Sequence, residues 1–108
     1  MKEAVLGKRY ELSLVIVDDK TSTDLNKKYR AKEYTPNVLS FGIDDMHGEI
    51  FLNMRQARRE YKERGETLRE FTALLVIHSL FHLKGFEHGS KMDKEVDRIL
   101  KKFGFETA

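Results

Sequence analysis

The segment of residues 68–83 constrains the fold of this chain more than any other part of the sequence. Its apolar residues lie on almost every side of a 3.6-residue helical period: Leu68, Phe71, Leu74, Leu75, Val76, Ile77, Leu80, Phe81 and Leu83. Thr67 and Glu70 form a capping-box pattern before this segment, and Gly85 provides a stop signal after it. A helix of this composition must be covered on most sides, so we expect it at the centre of the hydrophobic core.

The N-terminal half of the chain has strand-like patterns around one short helix. Apolar residues at every second position across residues 10–16 predict a strand that ends at the charged residues 18–20. Residues 21–24 carry the start pattern of a short helix. Residues 38–41 and 49–52 predict two further strands, joined by a polar loop longer than the tight two-residue kind.

The C-terminal half is predicted to be helical. Asn53 can cap a helix that ends before Gly65. Ser90 begins a last helix that ends at Gly104, with these residues inward: Met92, Val96, Ile99, Leu100 and Phe103. The element order is therefore β-α-β-β-α-α-α, an α+β fold in which helices pack on a small mixed β-sheet. We treat residues 1–108 as a single domain because the sequence contains no internal repeat or linker.

The composition narrows the class of protein. The 40% hydrophobic and 35% charged residues are typical of a globular chain. The sequence has no long apolar run, so we expect no membrane partner. The absence of cysteine excludes disulfides, thiolate metal sites and a cysteine nucleophile. Residues 1–7 do not resemble a secretory leader, so we expect a cytoplasmic protein. The net charge of +2 permits nucleic-acid binding without requiring it.

Three of the four histidines fall in the segment HSLFHLKGFEH. His78 and His82 are four residues apart, so a helix projects both rings from one face. Gly85 allows the chain to turn, and His88 follows three residues later. Three neutral imidazoles leave one position of a tetrahedral Zn²⁺ open, as in catalytic sites. Two buried imidazoles on an apolar helix need partners, so the pattern favours metal ligands over structural core histidines.

Two features near these histidines bear on the chemistry. The spacing H-x-x-x-H-x-x-G-x-x-H also matches zinc peptidases, which need a glutamate directly after the first histidine as general base. Ser79 stands in that position, which argues against peptide hydrolysis. Glu87, the nearest carboxylate in sequence, could orient a ligand, assist the attacking water or point to solvent, and these three roles stay open.

The histidine segment resembles the HGxLHLxGYDH signature of the YbeY family of metal-dependent endoribonucleases. Upstream, LNKKYR at residues 25–30 resembles the family's LNxxYR segment, and TPNVLSF at residues 35–41 resembles its TDVLSF-like strand. GEI at residues 48–50 stands where the family has GDI. The departures include Ser79 in place of Gly and Phe-Glu at residues 86–87 in place of Tyr-Asp.

The resemblance implies a hydrolase, a single-strand-selective endoribonuclease that acts in ribosomal RNA maturation and ribosome quality control. A Zn²⁺ ion, or another divalent metal, would be held by His78, His82 and His88. Arg30 matches an arginine in the family's cleft and would contact the substrate phosphate, with Glu87 as a second catalytic candidate. The implied partners are single-stranded RNA, ribosomal RNA and ribosomal subunits, and no DNA is expected. Whether water or the RNA 2′-hydroxyl attacks stays open.

Other interpretations remain beside this one. The chain could be a non-catalytic, metal-stabilised RNA- or ribosome-binding module, and a zinc-dependent peptidase-like hydrolase is a third alternative. The basic residues along residues 55–62 are interspersed with glutamates, which favours a solvated face, whereas those along residues 27–32 include Arg30 and are as compatible with RNA contact as with solvent. The resemblance also implies that much of the N-terminal segment of longer relatives is missing, so we expect thin cover on one face of the sheet.

Overall fold

The structure is a computed structural model that describes residues 2–85 and 89–105. The elements in chain order are α1 (Lys2–Leu6), β1 (Glu11–Ile16), α2 (Asp19–Arg30), β2 (Val38–Asp44), β3 (His47–Leu52), α3 (Met54–Glu60), a 3₁₀ turn (Tyr61–Arg64), α4 (Leu68–Lys84) and α5 (Ser90–Lys102). The three strands form one mixed sheet in the order β1-β3-β2. β1 runs parallel to β3, and β2 runs antiparallel to it. The predicted α+β class is confirmed.

α4 lies at the centre of the core, as its composition predicts. Phe71, Ile77, Leu80 and Phe81 are buried, and α1, α3, α5 and the sheet all pack against this helix. Both hydrogen bonds of the predicted capping box form, and the helix ends at Gly85 in a left-handed conformation (φ 103°). Within the described residues, no helix has both the length and the apolar content needed to cross a membrane.

The predicted order β-α-β-β-α-α-α is wrong at its start, because the structure has an additional helix, α1, before β1. Five residues are too few for a periodic signal, and so short a helix is not stable by itself. Val5 is buried in the core beside α4, and Lys2 Nζ donates to the carbonyls of Gly7, Lys8 and Tyr10. Tertiary packing therefore stabilises a helix that the local sequence does not. As a consequence, the histidine-bearing helix is the fourth α-helix and not the third.

The β2–β3 hairpin is tighter than predicted. Its loop has only two residues, Asp45 and Met46, because β2 continues to Asp44 and β3 begins at His47. A register irregularity lies between Gly42 and Asp44, and Asp44 Oδ1 accepts a hydrogen bond of 2.8 Å from the backbone N–H of Met46. Glycine and aspartate are depleted in strands, so the sequence pattern did not predict that β2 continues beyond residue 41.

Two residues at helix ends also differ from expectation. Asp18 caps α2, with its Oδ1 2.8 Å from the Thr21 N–H, so the helix begins earlier than the predicted start at residues 21–24. Phe103 was expected inward, but it is 39% exposed because α5 ends at Lys102, while the other four predicted residues of this helix are buried.

β1 is an edge strand that the helices leave largely uncovered. The register pairs Leu14 with Ile50 and Ile16 with Leu52, so each pair lies on the same face of the sheet. Ile50 and Leu52 are buried, whereas Leu14 is 49% and Ile16 is 62% exposed. The helix layer therefore covers the centre of the sheet and reaches Leu12 of β1, whereas the end of β1 that carries Leu14 and Ile16 has thin cover.

Gly48 supports the packing of α4 on the sheet, and its replacement tests that packing. A Cβ at this position would clash with Tyr10 Oη and lie 3.0 Å from Leu83 Cδ2, whereas its cross-strand partner Gly42 has open space. We expect Gly48→Ala to lower the free energy of unfolding by about 1–3 kcal/mol through overpacking. Gly42→Ala is the matched control and should cost much less. Urea denaturation measures both, and equal losses would contradict this account.

His47 connects the hairpin to the edge strand. Its Nδ1 lies 2.7 Å from Asp44 Oδ1, and its Nε2 lies 3.1 Å from Glu11 Oε2. The hydrogen bond to Asp44, together with the negative charges of Asp44 and Glu11, raises the pKa of His47 above its usual value. The same hydrogen bond is the main reason that the pKa of Asp44 is lowered.

These pKa shifts predict a pH-dependent stability. Because the pKa of His47 is raised on folding, its contribution is fully present below the unfolded value of about 6.5 and is lost as the pH rises through the folded value. The contribution of Asp44, whose pKa is lowered, is lost only as the pH falls through its folded value. We expect His47→Gln to lower the free energy of unfolding more at mildly acidic than at alkaline pH. Denaturation at both pH values measures this, and an equal effect at both would contradict it.

Candidate active site

A cleft between α2, β2 and α4 contains three of the predicted site residues. Its volume is about 390 Å³, and it is lined by Arg30, Asn37, Val38, Leu39, Ser40, Leu75, His78, Ser79 and His82. α2 contributes the arginine, the start of β2 contributes the residues from Val38 to Ser40, and α4 contributes both histidines. The fold thus brings together side chains that are about 50 residues apart in the chain.

His78 and His82 lie one helical turn apart on the wall of this cleft. The His78 side chain is 25% exposed, and His82 is exposed in the last turn of α4. Asp93 of α5 brings its Oδ1 to 3.9 Å from His78 Nε2, which is longer than a hydrogen bond. The sequence did not single out Asp93, because a charged residue on an amphipathic helix carries no distinguishing signal.

Ser79 does not replace the base that a zinc peptidase needs. It is buried, and its Oγ donates a hydrogen bond of 2.9 Å to the backbone carbonyl of Leu75. The hydroxyl proton is used in this bond to the helix backbone. Serine also has no carboxylate that could accept a proton from water. This geometry agrees with the sequence argument against peptide hydrolysis.

The third predicted ligand, His88, and the second catalytic candidate, Glu87, lie outside the described residues. Among residues 2–85 and 89–105, no group of three or more His, Asp or Glu side chains is arranged to hold a metal ion. The two described histidines nevertheless fit two positions of a three-histidine site. They supply imidazole nitrogens one turn apart on one cavity wall, which is the donor type that Zn²⁺ accepts.

Arg30 is positioned by the end of α2. The helix is followed by Ala31 in a left-handed conformation (φ 54°), and the N–H groups of Ala31 and Lys32 both donate to the carbonyl of Asn26. Asn26 is fully buried and donates from Nδ2 to the Tyr34 carbonyl at 3.0 Å. The sequence left Asn26 open between a positioning role and a capping or surface role. In the structure it anchors the turn that follows Arg30.

Two hydroxyl contacts fasten the next loop to α2. Ser22 Oγ donates to the Pro36 carbonyl at 2.8 Å, and the hydroxyls of Thr23 and Thr35 lie 2.8 Å apart. The loop therefore follows α2 and delivers Asn37 to the start of β2. The Asn37 side chain donates to Glu60 Oε2 at 2.8 Å, and Asn37 lines both the cleft and an adjoining cavity of about 500 Å³.

The sequence analysis did not name Asn37 or Ser40 as site residues. The available signal was their position: Asn37 follows the single proline and directly precedes β2, while Ser40 is a polar residue inside that strand. Strand polarity of this kind marks a residue that faces solvent or a cavity, but it does not say which.

The basic residues of the two predicted clusters differ in their surroundings. Arg59 of α3 makes two contacts with Asp19, Nη1 to Oδ1 at 3.0 Å and Nη2 to Oδ2 at 2.7 Å. The Arg59 bonds and a further hydrogen bond from Asn53 lower the pKa of Asp19 to about 2. Arg59 therefore ties α3 to α2 and has a structural role. Lys27 and Lys28 are exposed on α2, with Lys28 Nζ 5.2 Å from the centre of the Tyr29 ring.

Comparisons with known proteins identify the family of this chain. A family model described as Endoribonuclease YbeY matches residues 1–104. Curated relatives with that name include proteins from Chromobacterium violaceum (31% identity over 87% of this chain and 61% of the relative), Finegoldia magna (33%, 86% and 65%) and Alkaliphilus metalliredigens (31%, 88% and 72%). The chain thus spans less than two thirds of the length of the first two.

A solved structure has a similar fold. The solution structure of a Thermotoga maritima protein matches with a TM-score of 0.61, over 94% of this chain and 77% of that one. At 22% sequence identity this similarity concerns the fold alone. The family model covers nearly the whole chain, including β2 and the histidine-bearing helix α4. The chain therefore belongs to the YbeY endoribonuclease family.

Proposed function

We propose that this chain is a metal-dependent endoribonuclease that cleaves single-stranded RNA in the maturation and quality control of ribosomal RNA. The observation that carries the proposal is the cleft in which Arg30, His78 and His82 line one cavity. Membership of the family supports RNA as the substrate class. Ribosomal subunits as partners and a cytoplasmic location are part of the same proposal.

Zn²⁺ is the ion that this donor set suits best, although other divalent metals also accept imidazole. His78 and His82 would hold the ion, with His88 as the third ligand. When bound, the metal supplies a localised positive charge that polarises a phosphate oxygen or the attacking hydroxyl. The absence of cysteine from the chain leaves histidine as its main nitrogen or sulfur donor for such an ion.

Arg30 supplies the phosphate-binding group that belongs to the chain itself. A guanidinium stays charged at any working pH, and its planar set of N–H donors matches phosphate oxygens. Its place on the cleft wall lets it hold a phosphate next to the two histidines. The hydrogen bonds of Asn26 fix the backbone turn that follows Arg30. Lys27 and Lys28 extend the positive surface along α2.

The size of the cleft favours single strands. A volume of about 390 Å³ lies at the low end of the range for small-ligand pockets, about 300–1,000 Å³. Such a cavity accommodates a nucleotide unit that has been splayed out from its neighbours, and single-stranded RNA presents its nucleotides in this way.

One experiment tests the metal dependence. Labelled single-stranded RNA is incubated with the wild type, with His82→Ala, and with the wild type in the presence of a chelator. We expect His82→Ala and chelation each to reduce cleavage by at least about a hundredfold. Loss of a residue that only hydrogen-bonds to a metal ligand already lowers activity by up to about this factor, and loss of the ligand itself should cost no less. Zn²⁺ per chain, measured by elemental analysis, should fall in the same samples.

The matched control is His47→Ala, which removes the one histidine of the chain that lies outside the signature. It should leave cleavage unchanged. Cleavage that survives both His82→Ala and chelation would contradict the proposed metal site. RNA binding by the wild type without any cleavage would favour the non-catalytic module. The product ends also distinguish the two nucleophiles, since 2′-hydroxyl attack leaves a cyclic phosphate and water leaves a linear one.

Arg30 is tested by the pair Arg30→Ala and Arg30→Lys. We expect Arg30→Ala to reduce kcat/KM for RNA by about 10–100-fold, because a charge-assisted, two-point phosphate contact is lost. Arg30→Lys should recover part of this loss through charge alone. Arg58→Ala, an exposed arginine that does not line the cleft, is the control. Equal effects of Arg30→Ala and Arg58→Ala would show that only general surface charge matters.

A further inference from the structure

We propose that the cavity beside the cleft is a base-binding subsite that selects guanine. This inference rests on the proposed function, since it assigns the cavity to the same RNA strand whose phosphate Arg30 would hold. The cavity has a volume of about 500 Å³ and shares Asn37, Leu75 and His78 with the cleft. A strand with one phosphate in the cleft therefore has a second cavity directly beside it for a neighbouring base.

The inner wall of this cavity suits a flat, uncharged group. Phe71 and Leu75 are buried, Leu74 is partly buried, and all three line the cavity. The guanidinium of Arg64 lies 5.1 Å from the centre of the Phe71 ring, and its Nε donates to Glu66 Oε1 at 2.8 Å. These two contacts locate the guanidinium plane at the cavity. Unpaired RNA bases stack on guanidinium planes and apolar rings, so the wall matches a base.

Two carboxylates give the cavity a charge opposite to that of Arg30. Glu60 ends α3, Glu63 lies in the 3₁₀ turn that follows, and both line the cavity. Glu60 accepts hydrogen bonds from Asn37 Nδ2 at 2.8 Å and from Gln56 Nε2 at 3.0 Å. Within the part of the chain that the structure describes, Glu63 makes no hydrogen bond or ion pair. Carboxylates repel a phosphate but accept N–H groups, so this cavity favours the base of a nucleotide over its phosphate.

Guanine is the base that a carboxylate recognises best. Its Watson–Crick edge presents two adjacent donors, N1–H and the N2 amino group, and the two oxygens of a carboxylate accept both. Adenine and cytosine present an amino donor beside a ring-nitrogen acceptor, and uracil presents one N–H between two carbonyl oxygens. Each of these three places an acceptor against the carboxylate, which costs binding energy. Glu63, whose oxygens have no partner among the described residues, is therefore the specificity-determining residue.

A metal ion fits this cavity less well than a base does. Glu60, Glu63 and His78 all line it, but among residues 2–85 and 89–105 no three His, Asp or Glu side chains are arranged to hold an ion. Metal ligands must all lie within about 2–2.6 Å of one point. A base needs only one carboxylate along its edge and a flat surface beneath its ring, and the cavity provides both.

Base preference is tested with labelled single-stranded RNA and the Zn²⁺-loaded chain. Each RNA is a run of uridines with one central guanosine, adenosine or cytidine, and an all-uridine strand is the reference. Stopped-flow anisotropy measures binding before cleavage, and competition between the RNAs gives the ratio of their kcat/KM values. We expect the wild type to bind the guanosine strand at least about fivefold more tightly than the reference, the low end for a two-bond base contact.

Glu63→Gln should abolish the guanosine preference and favour adenosine instead, because a carboxamide pairs with the amino group and ring nitrogen of adenine. Glu63→Asp, which keeps the carboxylate, should retain part of the guanosine preference. Asp97→Asn is the matched control, since it removes an exposed carboxylate of α5 that lines neither cavity. It should keep the full guanosine preference.

The outcomes separate this proposal from the proposed function. Cleavage of all four RNAs by the wild type without base preference would overturn the subsite alone. A guanosine preference in binding without any cleavage would support the subsite and contradict the nuclease. A guanosine preference that survives Glu63→Gln, or one that Asp97→Asn removes equally, would overturn the assignment to Glu63. A wild type that binds none of the RNAs would overturn both proposals.

Discussion

The burial of α4 is the constraint on which the rest of this structure depends. A helix that is apolar on nearly every side is stable in water only if other elements cover it, and each buried large aliphatic or aromatic side chain contributes about 1.5–3 kcal/mol. The sheet, α1, α3 and α5 provide that cover. The turn that carries His78 and His82 is the part of α4 where the cover opens into a cleft. The candidate site is therefore an interruption in the packing around the most apolar helix of the chain.

A second set of interactions, polar and largely buried, determines what faces those histidines. Ser22, Asn26 and Asn53 are all nearly inaccessible to solvent. Ser22 and Asn26 hold the loop after α2, and Asn53 joins the start of α3 to Asp19 of α2. Buried polar groups are costly unless they are hydrogen-bonded, so the bonds from Ser22 Oγ, Asn26 Nδ2 and Asn53 Nδ2 favour this arrangement of α2 against the sheet. The position of Arg30 at the cleft follows from that arrangement.

Local chemistry explains which parts of the fold could be predicted from the sequence. The capping box of Thr67 and Glu70, the cap at Asn53 and the stop at Gly85 each act over a few residues, so their sequence pattern is sufficient. The pair His78 and His82 could be placed for the same reason, since helical geometry alone puts them on one face. These predictions needed no knowledge of how the chain folds back on itself.

Contacts between distant segments could not be predicted in this way. α1 exists because Val5 reaches the core, and the two-residue hairpin depends on how β2 pairs with β3. The contacts of Arg59 with Asp19, like the approach of Asp93 to His78, join residues whose own positions carry ordinary surface charge. The family resemblance placed Arg30 in the cleft, but the hydrogen bonds that hold its turn were visible only in three dimensions.

The mixed sheet has a consequence for the order in which the chain assembles. β2 and β3 are joined by two residues, so their pairing closes a very short loop. Glu11 of β1 pairs with His47 of β3 across α2 and β2, and the loss of chain entropy on closing this longer loop opposes the parallel contact. The entropy of loop closure thus favours pairing of the hairpin before β1 docks onto β3.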